Sequence, residues 1–121
     1  MNAVMSLNDQ GYRSSSLRTP RDAEYVVFSR VTSMLRQSAS KADNSDTIQA
    51  VYKNTQLWSL LASDLTSPAN GLPDQVKVGL LSLAGFSIRH GQAVMAGNAT
   101  TEPLVDINLS VMRGLRGEVA A

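Results

Sequence analysis

Residues 57–95 read LWSLLASDLTSPANGLPDQVKVGLLSLAGFSIRHGQAVM, the end of one helix, a turn, and a second, long helix. The turn is written by Ser67-Pro68-Ala69-Asn70-Gly71-Leu72-Pro73. Pro68 cannot continue the helix before it, Asn70-Gly71 tolerates positive φ, and Pro73 suits a first helical position. Beyond Pro73 the apolar residues no longer keep to one side. At about 100° per residue, Val76, Val78, Leu80, Leu81, Leu83, Phe86 and Ile88 fall nearly all round the axis. A helix apolar on every side is either surrounded by neighbours or waiting for a partner. Which of the two holds is the functional question this chain poses.

Outward from that stretch, the rest of the sequence supplies more helices. Thr19-Pro20-Arg21-Asp22 opens the first, with Thr19 as N-cap, Pro20 in the first position, and Asp22 and Glu24 at the positive end of the dipole. Its apolar stripe is Ala23, Val27, Phe28, Val31, Met34 and Leu35, and it fades near Ser40. Residues 38–45 form a polar connection in which Asp43, Asn44 or Ser45 caps the second helix. That helix carries Ile48, Val51, Tyr52, Trp58, Leu61, Ala62 and Leu65. The third spans residues 73–96, with Gly97-Asn98 as a C-terminal stop. Thr101-Glu102-Pro103 begins the fourth, which carries Leu104, Ile107, Val111 and Leu115 and frays near Gly114 and Gly117. No period-two alternation is long enough for a strand. Short connections between helices favour antiparallel neighbours. The expected fold is therefore all-α, a small antiparallel bundle of four main helices over residues 19–117, preceded by a loosely held arm over residues 1–18.

With 121 residues the chain makes one domain with a real core, and an apolar fraction of 43% against 17% charged residues is globular. Its net charge of +1 leaves no basic block of the kind that marks a nucleic-acid footprint. The absence of cysteine excludes disulfides, iron–sulfur clusters and thiol nucleophiles. His90 is the only histidine, which excludes the usual zinc sites. No clustered acidic motif suggests magnesium, and no metal or cofactor is expected. Ser87 and His90 share a helical face without an orienting acid or a nucleophile elbow. Gly79, Gly85 and Gly91 match neither GxGxxG nor a P-loop; inside a helix they read as close-packing points or points of local weakness. No catalytic residue is assigned. The start, MNAVMSLNDQGYRSSS, lacks the basic region and apolar run of a signal peptide, and no apolar run approaches the ~20 residues of a membrane span. A cytoplasmic protein is expected.

Three polar residues break the stripes they sit in. Glu24 lies angularly between Val31 and Leu35, Asn54 between Leu61 and Leu65, and Asn108 between Leu115 and Met112. On the third helix Arg89 and His90 lie beyond the densest apolar segment, where they could supply cationic partners. A buried carboxylate or amide without a partner costs about 1–3 kcal/mol. The five are therefore expected to form an internal polar network that fixes helix register, with a polar anchor for a partner as the functional alternative. Trp58 reads as a core residue, and the methionines as gap fillers that would also suit an adaptable surface.

Several stretches match a known family in order and spacing. They are Pro20-Arg21-Asp22-Ala23-Glu24-Tyr25, Leu57-Trp58 followed by Leu61-Ala62-Ser63-Asp64, and Ser67-Pro68-Ala69-Asn70-Gly71-Leu72-Pro73. Further on come Leu81-Ser82-Leu83, Arg89-His90 with Ala93-Val94-Met95, then Glu102-Pro103-Leu104-Val105-Asp106-Ile107-Asn108 and Met112-Arg113-Gly114-Leu115. On these, the chain resembles the FlaF family of flagellar biosynthesis proteins of alphaproteobacteria, from about Tyr12 to Leu115. It departs at Phe86, where family members often carry tryptophan; if that position touches the partner, partner identity differs with it. The resemblance implies a small, helical, non-enzymatic factor: a flagellin-binding chaperone that also influences flagellin translation, with the related regulator FlbT as a further partner. Flagellin is exported unfolded, and its terminal segments are amphipathic helices.

Two functions follow as expectations. In the first, a bundle with surplus apolar surface holds a flagellin helix in a groove at three-and-four spacing. Leu81, Phe86, Ile88, Val105, Leu109 and Met112 are the expected contact residues, and a closed core or a homodimer interface would use the same side chains. In the second, the protein binds flagellin message directly through Arg13, Arg18, Arg21, Arg30 and Arg36, though these lack an aromatic stacking platform. Neither reading involves a small-molecule substrate or a membrane.

Overall fold

The computed structural model describes residues 20–39 and 44–115. Four helices account for the regular structure among them: α1 (Pro20–Ser38), α2 (Asn44–Leu65), α3 (Asp74–Met95) and α4 (Glu102–Leu115). No strand occurs among the described residues, so the expected all-α bundle is the observed fold. The expected arm over residues 1–18, the Thr19 cap and the end of the domain at residue 117 lie outside the described residues.

Local signals in the sequence account for the helix ends. Asn70-Gly71, which tolerates positive φ, does not adopt it; Gly97 is the one described residue with φ in that region, at 79°. Side-chain turns shape the α2–α3 connection instead. Ser67 Oγ accepts from the Ala69 amide at 3.2 Å, and Asn70 Oδ1 accepts from the Leu72 amide at 3.0 Å. Pro73 stands one position earlier than expected, as the N-cap of α3 with ψ 145°, and its carbonyl accepts the first helical bond from the Lys77 amide at 3.0 Å. Since proline lacks an N–H, nothing is lost at that position. At the other end, the Gly97 amide donates to Val94 O and the Asn98 amide to Ala93 O. That paired closure is a Schellman motif, which requires left-handed backbone at Gly97. Thr101 begins α4, its carbonyl accepting from both the Leu104 and Val105 amides.

The helices pack around Trp58, which is fully buried on α2. Phe28 of α1 meets it edge-on, with ring centroids 5.6 Å apart and planes at 79°, a favoured aromatic geometry. Val27, Val31 and Leu35 extend the core along α1, and Val51, Leu57, Leu61 and Leu65 along α2. Ile48 and Tyr52, expected on the buried stripe, are 49% and 58% exposed; the stripe runs instead through Ala50, Val51, Asn54 and Leu57. On α4 the buried face is Leu104, Val105, Asn108 and Met112, turned away from the expected Ile107–Val111–Leu115 side. Asn108 sets this rotation, because its amide bonds to residues of α2. Thr32 of α1, also buried, gives its hydroxyl to Phe28 O at 2.6 Å and lies 3.8 Å from Met112 Sδ.

In neighbour relations, α1 packs on α2 and α4, α2 on α1 and α3, while α3 and α4 touch sparingly. The bundle is thus two pairs, α2 with α3 and α1 with α4, joined along α1 and α2. No helix of the described residues is long and apolar enough to cross a membrane.

Candidate functional site

The functional question turns on α3. Its buried residues are Ala84, Ser87 and Gly91, all small. A Cβ placed on Gly91 would lie 3.2 Å from both Val51 Cγ1 and Thr55 Oγ1 of α2, so the two backbones approach closely there. This close approach belongs to the C-terminal half of the helix. None of residues 74–83 is buried. The helix hides its small side chains and leaves large ones outside: Val78 is 63% exposed, Val76 45% and Phe86 41%. Exposed apolar residues scattered singly are ordinary, and of these three only Val76 lines the open groove beside the helix.

The groove lies where the N-terminal half of α3 stands away from α4. It is an open furrow of about 760 Å³. Leu72, Val76, Leu80 and Leu83 form one wall, and Val111, Gly114 and Leu115 of α4 the other. Phe28, Leu61 and Leu65 of α1 and α2 complete the lining, with Glu24, Asp64 and Asn70 at the end where the furrow meets the α2–α3 turn. Asp64 Oδ2 accepts from Asn70 Nδ2 at 3.0 Å, which ties the carboxylate to that turn. Leu80, Leu83, Val111 and Leu115 also pack against the core from their partly buried positions. The furrow is therefore an extension of the core that the four described helices do not close.

A buried polar chain links α2 and α4. The Trp58 indole N–H donates to Asn108 Oδ1 at 2.9 Å, and Asn108 Nδ2 donates to Asn54 Oδ1 at 2.8 Å. Trp58, Asn54 and Asn108 are essentially inaccessible to water. The structure thus brings Asn54 and Asn108 together and adds Trp58 as the third member. Two further buried atoms, Asn54 Nδ2 and Ser87 Oγ, have no hydrogen-bond partner among the described residues. Glu24, Arg89 and His90 stand elsewhere. Glu24 lines the furrow. Arg89 is exposed and lies along its own helix over Gly85. His90 Nε2 lies 2.8 Å from Thr100 O, and its ring stacks on Phe86 with centroids 5.4 Å apart.

The six expected contact residues do not line the furrow. Val105 and Met112 are buried in the core, while Leu81, Ile88 and Leu109 are partly buried against it. Phe86 is exposed in its stack with His90. The furrow residues Leu72, Val76, Leu80 and Leu83 belong to the same apolar helix and its entry but to a different side of it. The small-residue series Ala84, Ser87 and Gly91 is the signal that would have oriented the helix, because the side of closest backbone approach must carry the smallest side chains. Among the described residues no group of three His, Asp or Glu side chains could hold a metal ion.

No curated protein and no solved structure matches the chain. The family model described as flagellar protein FlaF matches residues 10–115, a span that takes in all four helices, both walls of the furrow and the Trp58–Asn108–Asn54 chain. The resemblance read from the sequence is thereby borne out, and the chain belongs to the FlaF family of flagellar proteins.

Proposed function

We propose that this protein is a flagellin-binding export chaperone that also promotes flagellin synthesis, and that it holds an amphipathic flagellin helix in the furrow between α3 and α4. The observation that carries this reading is the furrow itself, a strip of aliphatic core surface left open by the described residues in a member of a flagellar family. Val76, Leu80 and Leu83 on α3, with Val111 and Leu115 on α4, repeat at helical three-and-four spacing. An apolar strip between two helices accepts a third helix by its i, i+3, i+4, i+7 face. Among the described residues the furrow lining contains no Lys or Arg, which gives nothing to a phosphate backbone. The protein acts by binding, without catalysis, in the cytoplasm before export; its effect on translation follows from holding flagellin, with FlbT as a second partner in that control.

The test is binding of purified flagellin to the full chain and to Leu80→Asp and Val111→Asp. Both positions are partly exposed, so the variants are expected to keep their helical circular dichroism while losing flagellin affinity by about 100-fold, as truncated or charged hot spots do. Absence of flagellin binding at micromolar concentration, or full binding by both folded variants, would overturn the reading.

A further inference from the structure

We propose that Asn70 is a modification site, at which the folded turn between α2 and α3 lets the chain's own backbone convert the side-chain carboxamide to a carboxylate. The inference stands apart from what the furrow binds. Asn-Gly occurs once in the chain, and it falls in this turn with Gly71 exposed. Three features of the turn prepare the reaction. Asn70 Oδ1 accepts from the Leu72 amide at 3.0 Å, which folds the carboxamide forward over the Gly71 peptide. The Gly71 amide donates to none of the described residues, so no hydrogen bond to them holds its nitrogen. A Cβ at Gly71 would meet nothing within 4 Å among them, and glycine has no Cβ of its own to crowd a ring closing there. The other described asparagines lack this combination. Asn54 and Asn108 are buried inside helices. Asn44 and Asn98 are exposed but are followed by Ser45 and Ala99, whose side chains crowd the attacking nitrogen.

The only co-reactant is water. The Gly71 nitrogen, once deprotonated, attacks Asn70 Cγ. A new C–N bond forms, the bond to Nδ2 breaks, and the Gly71 amide proton leaves through solvent with Nδ2 as ammonia. Water then opens the cyclic imide at either carbonyl. One opening leaves aspartate; the other leaves isoaspartate, whose main chain runs through the former side chain. The departing nitrogen is the one that ties the turn to α2, since Asn70 Nδ2 donates to Asp64 Oδ2 at 3.0 Å. In the product a carboxylate oxygen faces Asp64 Oδ2 where a donor stood, and like charges at such a distance disfavour each other. The modification therefore unties the turn from the last turn of α2, just ahead of Pro73 at the start of α3.

The experiment incubates the full chain at neutral and at mildly alkaline pH, with a parallel sample unfolded in urea. Peptide mass spectrometry follows each asparagine, and an isoaspartyl methyltransferase assay reads the isomer. Most of Asn70 is expected to convert in the folded protein, faster at the higher pH, while Asn44 and Asn98 stay intact. Gly71→Ala is expected to abolish most of the conversion; Gly71 has no positive φ and open space around it, so alanine fits. Hydrogen exchange of residues 66–72 is expected to quicken in the converted protein and in Asn70→Asp alike. Conversion of Asn70 in urea but not in the folded chain would overturn the inference, because the motif alone would then account for it. Conversion of Asn98 as fast as Asn70, or an unchanged rate in Gly71→Ala, would overturn it as well. Exchange at residues 66–72 that is the same before and after conversion would overturn the untying of the turn.

Discussion

Asn108 carries more than its own burial. Its Oδ1 is the acceptor for the Trp58 indole, and its Nδ2 is the donor to Asn54. Removing it strands two buried groups at once, Trp58 Nε1 and Asn54 Oδ1. Removing Asn54 strands only Asn108 Nδ2, and it also deletes an amide N–H that has no partner among the described residues. An unsatisfied buried group costs about 1–3 kcal/mol. Asn108→Ala is therefore expected to lower stability by about 2–4 kcal/mol and Asn54→Ala by about half as much or less. Urea unfolding of the two variants measures the difference; equal losses would mean that the chain of bonds is not the stabilising unit. The sequence announced these two residues by placing amides inside apolar stripes, which is why their burial could be foreseen. Their union with Trp58 could not, because an indole on an apolar face reads only as bulk until the opposing helix is known. Glu24, Arg89 and His90 were drawn into the same expectation by position on their helices. Glu24 stands apart at the furrow, while Arg89 and His90, beside Gly91 and level with Val51 and Thr55, face away from α2, Arg89 exposed and His90 stacked on Phe86.

At the scale of elements, helix ends were legible because proline, glycine and capping residues act locally. Pro73 and Gly97 fix the two ends of α3 within one residue of expectation whatever the rest of the molecule does. Which side of α3 faces inward was not legible from hydrophobicity, since a helix apolar all round has no preferred face. The small residues decide it. Gly91 sits where α2 leaves no room, with Val51 Cγ1 and Thr55 Oγ1 3.2 Å from a modest addition, whereas a Cβ at Gly79 would meet nothing within 4 Å. The two glycines should therefore respond oppositely to a larger side chain. Gly79→Ala is expected to stabilise by about 0.5–1 kcal/mol, since alanine is the better helix former and the space is open. Gly91→Val adds two methyls beyond Cβ against the buried Val51 and is expected to cost about 1–3 kcal/mol. Thermal unfolding of both variants checks this. A neutral Gly91→Val would mean that α3 slides readily along α2, and the argument for a fixed furrow wall would go with it.

At the scale of the whole molecule, the seam between α3 and α4 is sparser among the described residues than those of α2 with α3, α1 with α4 and α1 with α2. α2 holds α3 and α1 holds α4, so along the α3–α4 line the described helices touch only sparingly, near the loop at Gly97. Regions with few buried apolar contacts open first. The N-terminal half of α3, none of whose residues 74–83 is buried, should thus exchange its amide hydrogens faster than residues 51–61 of α2, which flank the Trp58 core. Adding a helix to the furrow would complete the missing side of both walls at once. Hydrogen exchange with and without bound flagellin is therefore expected to show protection rising together in residues 76–83 and 111–115. Residues 84–91, already sealed against α2, should change little. The competing outcome is as definite. Ile48 and Met95, both nearly half exposed, line a smaller open cleft of about 370 Å³ at the opposite end of the bundle. Protection confined to that end on adding flagellin would move the docking site there. The two ends share no lining residue, so one exchange map distinguishes a furrow that waits for a helix from a furrow that is merely where the bundle stops.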